Sequence, residues 1–161
     1  MPQEGRITIR AFRSGDEAAL YSVFHSAIHQ IASRDYTAEQ VAAWAPANGN
    51  DERWARRMQG IQPFVVTLDG DLVAYADVQP NGYIDHFFVA GACARRGVGT
   101  ALMNHLHTAA QERRIAVLTS HVSITAQPFF ERFGFTVVHQ RSVVIDGVTL
   151  TNSLMRKPLE V

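Results

Sequence analysis

The hexapeptide Ala94-Arg95-Arg96-Gly97-Val98-Gly99 joins an apolar run, Ile84 to Val89, to a helical pattern carried by Val98, Leu102, Leu106 and Ala109. Strand, glycine-bearing turn and helix in that order make a cradle for phosphate. Glycine lets the backbone approach an anion with no Cβ in the way. The orphan N–H groups of the first helical turn then face the anion with the helix dipole behind them. Arg95 and Arg96 add positive charge at the mouth. Two familiar phosphate motifs fail on spacing. A P-loop requires Lys and then Ser or Thr after its second glycine, whereas Thr100-Ala101 follow Gly99. A dinucleotide fingerprint requires a third small residue where Leu102 stands, and an acid about twenty residues on, where Leu118 and Thr119 stand.

Groups able to move a proton gather around that loop. Asp85 and His86 fall on the run that precedes it, Asp77 on the neighbouring run, and His121 just after a second apolar run at 115–119. Alternation sends Asp85 and His86 to opposite faces of a strand, so a given cleft sees one of them at most. Of these, His121 is the favoured base. His25 and His29 have metal-compatible i, i+4 spacing but no further ligands, so no metal is expected. His105 and His107 face different ways on a helix.

The elements that position these groups are readable from periodicity. Residues 7–12 alternate as a strand, and Ser14-Gly15-Asp16-Glu17 reads as a capping box opening a helix through Leu20, Phe24 and Ile28. Thr37-Ala38-Glu39-Gln40 is a second such box, with Pro46 ending its helix. Asp51 caps a third helix, with Trp54 and Met58 on one face and Gly60 as its stop. Strands follow at 64–68 and 72–78, joined by an Asp69-Gly70 hairpin, and at 83–89. After the loop come a helix to about Arg113, a strand at 115–119, a helix at 124–133 stopped by Gly134, and two strands meeting at Asp146-Gly147. The predicted fold is α+β: a mixed, largely antiparallel sheet of about seven strands, with helices on both faces.

The pairing of V-x-x-x-x-A-R-R-G-V-G, ending at Gly99, with S-x-x-A-x-x-F-F-E-R-F-G-F, from Ser123 to Phe135, resembles the GNAT superfamily of acyl-CoA-dependent N-acetyltransferases. The resemblance implies a V-shaped splay between strands 84–89 and 115–119, with acetyl-CoA lying in it. Pantetheine would pair with the backbone near Phe87, Phe88 and Val89, and the pyrophosphate would meet the amides of Arg95, Arg96, Gly97, Val98, Gly99 and Thr100. Ser123 stands where the superfamily often touches pantetheine, and equally where a helix cap would stand. An N–H near Phe88 would hold the oxyanion. Two departures are notable. Ala94 replaces the usual Gln or Arg of the loop, and Phe130 replaces the Tyr that protonates the departing sulfur. Tyr83 and Tyr36 are alternative acids. Tyr36, Trp44 and Trp54, with Asp77, are expected around an acceptor pocket.

Composition sets the outer limits. A chain of 161 residues, 47% hydrophobic and 19% charged, fits one domain over 1–161. Fifteen basic side chains balance fifteen acidic ones, which gives no general attraction to nucleic acid or an anionic membrane. The longest apolar runs fall far short of a membrane span. A lone cysteine, Cys93, reads as a packing residue and fits a reducing cytoplasm. The expected function is direct acetyl transfer from acetyl-CoA to a small-molecule amine. Transfer to a protein or peptide, and a non-catalytic acyl-CoA-binding domain, are the alternatives. Either a monomer or a homodimer fits the sequence.

Overall fold

The computed structural model describes residues 5–160. Strand β1 (Ile7–Ala11) leads into three helices, α1 (Glu17–Gln30), α2 (Ala38–Trp44) and α3 (Glu52–Ile61). The hairpin β2 (Phe64–Leu68) and β3 (Asp71–Ala76) follows, turning at Asp69 and Gly70, which both have positive φ. Next come β4 (Tyr83–Ile84), β5 (Phe87–Val89), α4 (Val98–Glu112), β6 (Val117–Ser123) and α5 (Gln127–Arg132). The closing hairpin is β7 (Thr136–Ile145) with β8 (Val148–Pro158). No described helix is long and apolar enough to cross a membrane.

The strands form two four-stranded sheets, ordered β1-β2-β3-β5 and β4-β6-β8-β7. All pairings are antiparallel except β4 with β6. Alternation on the first sheet divides the core. Val66, Ala74 and Ala76 face α4 with Leu102, Met103 and Leu106, while Val65 and Tyr75 face α1–α3 with Leu20, Ile28 and Met58. Helices thus cover both faces, as the periodicity predicts.

The expected strand 83–89 is divided between the two sheets, which raises the strand number to eight. Tyr83 and Ile84 pair with Thr119 and Ser120, and Phe87 to Val89 pair with β3. Between them the carboxylate of Asp77, wholly buried, accepts the backbone N–H groups of both Asp85 (3.0 Å) and His86 (2.6 Å). Those two amides turn onto one side-chain oxygen instead of a neighbouring strand, and the chain steps from one sheet to the other. This step opens the splay.

Other boundaries shift for local reasons. The 115–119 strand begins two residues later and runs to Ser123, because Arg114 (φ 57) and Ile115 are spent ending α4, with Ile115 N–H on Ala110 C=O. The box at Ser14–Glu17 does not form. Asp16 is held by Arg10 and by the Arg13 N–H, leaving α1 without a side-chain cap. The Thr37–Gln40 box does form, and Asp51 caps α3 as expected. That helix passes through Gly60 and stops at Gln62, which takes the left-handed conformation.

Gly82 is the tightest point of the parallel bridge. Its carbonyl accepts the Thr119 N–H (3.0 Å), its φ is +86°, and a Cβ there would overlap the Val117 carbonyl oxygen. Gly82→Ala is expected to lower the unfolding free energy by about 2–3 kcal/mol, read from urea melts.

Candidate active site

The splay is bordered by unpaired strand edge. Strand β5 lies at the margin of its sheet, and β6 beyond Ser120 has β8 on one side only. The hydrogen-bonded pairs of β3 with the β5 segment alternate, as antiparallel ladders require. Asp77 N–H bonds to His86 C=O and Ala90 N–H to Val73 C=O, so the pair between them, Tyr75 with Phe88, also turns its polar groups inward. The Phe88 amide is therefore occupied, contrary to expectation. The amides that face outward belong to Phe87 and Val89.

A cleft of about 1110 Å³ opens along this edge. Phe87, Val89, Gly97, Gly99 and Thr100 line it together with Arg34, Arg95 and Arg132. Arg95 and Gly97 take positive φ (64° and 81°), turning the chain into α4. The α4 ladder starts with Ala101 N–H on Gly97 C=O at 3.1 Å. That leaves the amides of Val98, Gly99 and Thr100 without intrahelical partners. Val98 offers only its amide, since its side chain is fully buried, and Arg96 does not line the cleft. A Cβ on Gly99 would lie 3.3 Å from the Phe129 ring, within the cleft wall.

Phe129, not Phe130, faces the cleft. Phe130 is 2% exposed and packs edge-on against Phe87 and Phe135 at 5.6 and 5.0 Å. Phe130, which the resemblance also places beside the cofactor, does not line the cleft, because the short helix α5 turns that position into the core. Ser123 lines the cleft, and its Oγ accepts the Ala126 N–H (3.1 Å), which leaves the hydroxyl proton free to donate. The helix expected from residue 124 begins at Gln127 with Ala126 as its N-cap and no side-chain cap, so Ser123 closes the turn before α5 and does not cap the helix itself.

On the other side of the splay lies a second chamber of about 650 Å³, roofed by α1–α3. It meets the first at Trp44, Phe88 and Ser123, the residues that line both. His121 and Tyr83 line it, with Tyr83 Oη 2.8 Å from His121 Nδ1. Burial, followed by the nearby Arg141 guanidinium, holds the His121 pKa below the usual 6.5, so the ring is mainly neutral at pH 7. Burial raises the Tyr83 hydroxyl above its usual range.

Asp85 and His86 both line this chamber and both reach Arg57, so the opposite-face expectation fails. Alternation presumes a continuous strand, and the strand is broken at these two residues. Arg57 donates to the Asp85 carboxylate (2.9 Å) and to His86 Nε2 (3.2 Å). The other ring nitrogen of His86 bonds Tyr75 Oη at 3.0 Å. With both nitrogens engaged and burial pressing its pKa down to about 4, His86 is a wall residue, unsuited to take a proton. Asp85 is committed to its guanidinium. Asp77 lines neither chamber, and burial raises its pKa to about 6. Tyr36 Oη is also spent, donating to Thr151 C=O and accepting the Ile124 N–H. Trp54 stands in the roof with its indole N–H on Glu17 C=O. The rings of His25 and His29 stack at 3.8 Å on the α1 surface.

Sequence reasoning missed Arg57, Arg141 and Phe129. Arg57 follows Trp54 by one helical turn, a spacing that puts it beside the buried face. Arg141 lies on a strand whose pairing partner alone reveals its direction, and nothing local marks it.

Two chambers on opposite sides of one opening, joined at a narrow waist, suit an enzyme that brings two substrates together. Relatives identify the kind. A family model described as an acetyltransferase (GNAT) domain matches residues 32–158. The chain is 36% identical over 150 residues to the uncharacterized N-acetyltransferase YafP of Escherichia coli (strain K12), covering 93% of this chain and 95% of that one. The GCN5-related N-acetyltransferase of Rhodopseudomonas palustris superimposes with a TM-score of 0.91 at 30% identity, covering 99% of both chains. PaiA N-acetyltransferase of Thermoplasma acidophilum, solved with coenzyme A, has the same fold at a TM-score of 0.73 and 15% identity, over 96% of this chain and 99% of that one. The chain belongs to the GNAT acetyltransferase family and is an acetyl-CoA-dependent N-acetyltransferase.

Proposed function

We propose that the acceptor is the amine of a small molecule, bound in the roofed chamber and acetylated directly at the waist. The observation that carries this reading is the chamber itself. At about 650 Å³, with Trp44, Tyr21, Phe24 and Trp54 among its walls, it matches the size and lining of a small-molecule site.

In this reading the cleft holds acetyl-CoA. The amides of Val98, Gly99 and Thr100 face its pyrophosphate, with Arg95 beside them, and the outward edge of β5 pairs with pantetheine. The amide of Phe87 or Val89 takes the developing oxyanion. The amine nitrogen forms a bond to the acetyl carbon, and the carbon–sulfur bond breaks. An aliphatic ammonium of pKa ~10.4 costs about 4–5 kcal/mol to neutralise at pH 7, which gives a base its purpose. His121 is that base. With Nδ1–H donating to Tyr83 Oη, Nε2 keeps its lone pair for the amine proton. Tyr83 is then the hydroxyl nearest the base for returning a proton to sulfur. A thiolate whose conjugate acid has pKa ~8.5 also leaves tolerably without that help.

Gly99→Val tests the cofactor placement. Its branched side chain would press on Phe129 and fill the cleft beside the free amides. Acetyl-CoA affinity by calorimetry is expected to fall about tenfold or more, with the melting temperature held within a few degrees. Unchanged affinity would move the cofactor out of this cleft.

A further inference from the structure

Three arginines line the acceptor chamber, Arg53, Arg57 and Arg141, against two carboxylates, Asp51 and Asp85. The carboxylates are already matched. Asp51 pairs with Arg53 at 3.6 Å, and Asp85 with Arg57 at 2.9 Å. Among the described residues, Arg141 pairs with no acid within 4.0 Å. It is nonetheless fixed. Its Nε donates to Asn152 Oδ1 at 2.9 Å, the residue opposite it on β8. One edge of the guanidinium is thereby anchored, leaving its terminal N–H groups to bind something else. A planar fork held this way is suited to a carboxylate.

Register fixes where that fork stands. Ser123, Asn152 and Arg141 form one row across β6, β8 and β7, with Ser123 at the waist. His121 lies two residues before Ser123 on the same face of β6. Strands β6 and β7 are two spacings apart, about 10 Å between backbones, and the arginine side chain reaches part of the way back. Its charge is felt at both His121 and Tyr83. An acceptor that points its nitrogen at His121 therefore has an unmatched cation within a few bonds of that nitrogen.

We infer that the acceptor is an amine bearing an anionic oxygen group, a carboxylate above all, seated on Arg141 while its nitrogen meets the Tyr83–His121 pair at the waist. This rests on the small-molecule reading above and narrows it to amino carboxylates, with the aromatic walls holding an apolar body between the two polar ends.

The test compares amino carboxylates with their own carboxamides, in wild type, Arg141→Gln and Arg141→Lys. Thiol release and calorimetric binding to the protein saturated with coenzyme A are both read. Wild type is expected to favour each acid over its amide by about tenfold or more in kcat/KM, mostly through KM, and Arg141→Gln to erase that ratio. Arg141→Lys is expected to recover part of it. Loss of Arg141 should also move the low-pH limb of the profile upward, since its cation depresses His121 alongside His139, against the opposing charge of Asp85. Equal turnover of acids and amides in wild type would overturn the inference and leave the acetyltransferase reading standing. Absence of turnover on every amine, with acids still binding through Arg141, would retain the anion site and remove the small-amine reading. Acid binding indifferent to Arg141 would overturn the inference whatever the turnover.

Discussion

His121→Ala is expected to slow acetylation of an aliphatic amine by a hundredfold or more, and that of an aromatic amine far less. The difference arises in the acceptor. An aliphatic amine reaches the site as an ammonium and must lose a proton, whereas an aromatic amine arrives neutral. Removing the imbalance in pKa between acceptor and base removes the need for the base. The wild-type profile has a matching shape. Because burial and the Arg141 guanidinium hold His121 below the usual 6.5, kcat/KM for an aliphatic amine should rise with pH through that lowered value and lose this limb in the variant. Thiol release at saturating acetyl-CoA, measured from pH 5 to 9, gives both readings. Equal loss on the two amine classes would mean that the ring shapes the chamber without moving a proton.

Asp77→Ala is expected to be the most damaging single change at the splay. It strands two backbone N–H groups, those of Asp85 and His86, and the latter is in a buried environment. Each unmatched donor costs about 1–3 kcal/mol, so a loss of about 2–5 kcal/mol should appear in denaturant melts. Activity should fall with it, since the same step in the chain sets the direction of Phe87 to Val89. Asp77→Asn should behave differently. An amide oxygen still accepts both N–H groups and the buried charge is gone, while Gln79, whose Nε2 donates to the other carboxylate oxygen at 2.6 Å, must turn its amide oxygen toward the new NH2 group.

The pH dependence separates the two roles of this carboxylate. Folding raises the Asp77 pKa from 3.8 to about 6, so its contribution to stability is full below pH 3.8 and is lost as pH rises through 6. That amounts to about 3 kcal/mol across the window at most. Folding depresses His86, whose contribution is full above 6.5 and lost as pH falls toward 4. The two slopes oppose each other between pH 4 and 6, leaving the wild type nearly flat on their account. Asp77→Asn should expose the rising slope of His86 alone and be the more stable protein at pH 7.5. A variant that tracks wild type at every pH would show that Asp77 is ionised without penalty.

Much of this arrangement is legible in the order of residues alone. The glycine-bearing turn into α4 carries its own chemistry in its residue types, and the Asp69-Gly70 and Asp146-Gly147 turns announce their hairpins. The break at Asp85 and His86 is not legible, because alternation describes a strand that continues. What ends it is a side-chain oxygen eight residues upstream, invisible to any local pattern. Phe130 misleads for a related reason. A motif gives its position along the chain, while the short α5 decides that Phe129 meets the cleft and Phe130 the core. Arg57 and Arg141 come from distant elements, and only the packing of α3 beside the splay and the pairing of β7 with β8 bring them to the same chamber.

The waist formed by Trp44, Phe88 and Ser123 has a bearing on traffic through the enzyme. In the proposed reading each partner has its own doorway, the nucleotide along the α4 side and the amine beneath the helical roof. Neither departing product has to retreat past the other. In that same reading both reactants must be present together before anything happens, so the kinetic order expected is that of a ternary complex, with no stage at which the acyl group waits on the protein alone.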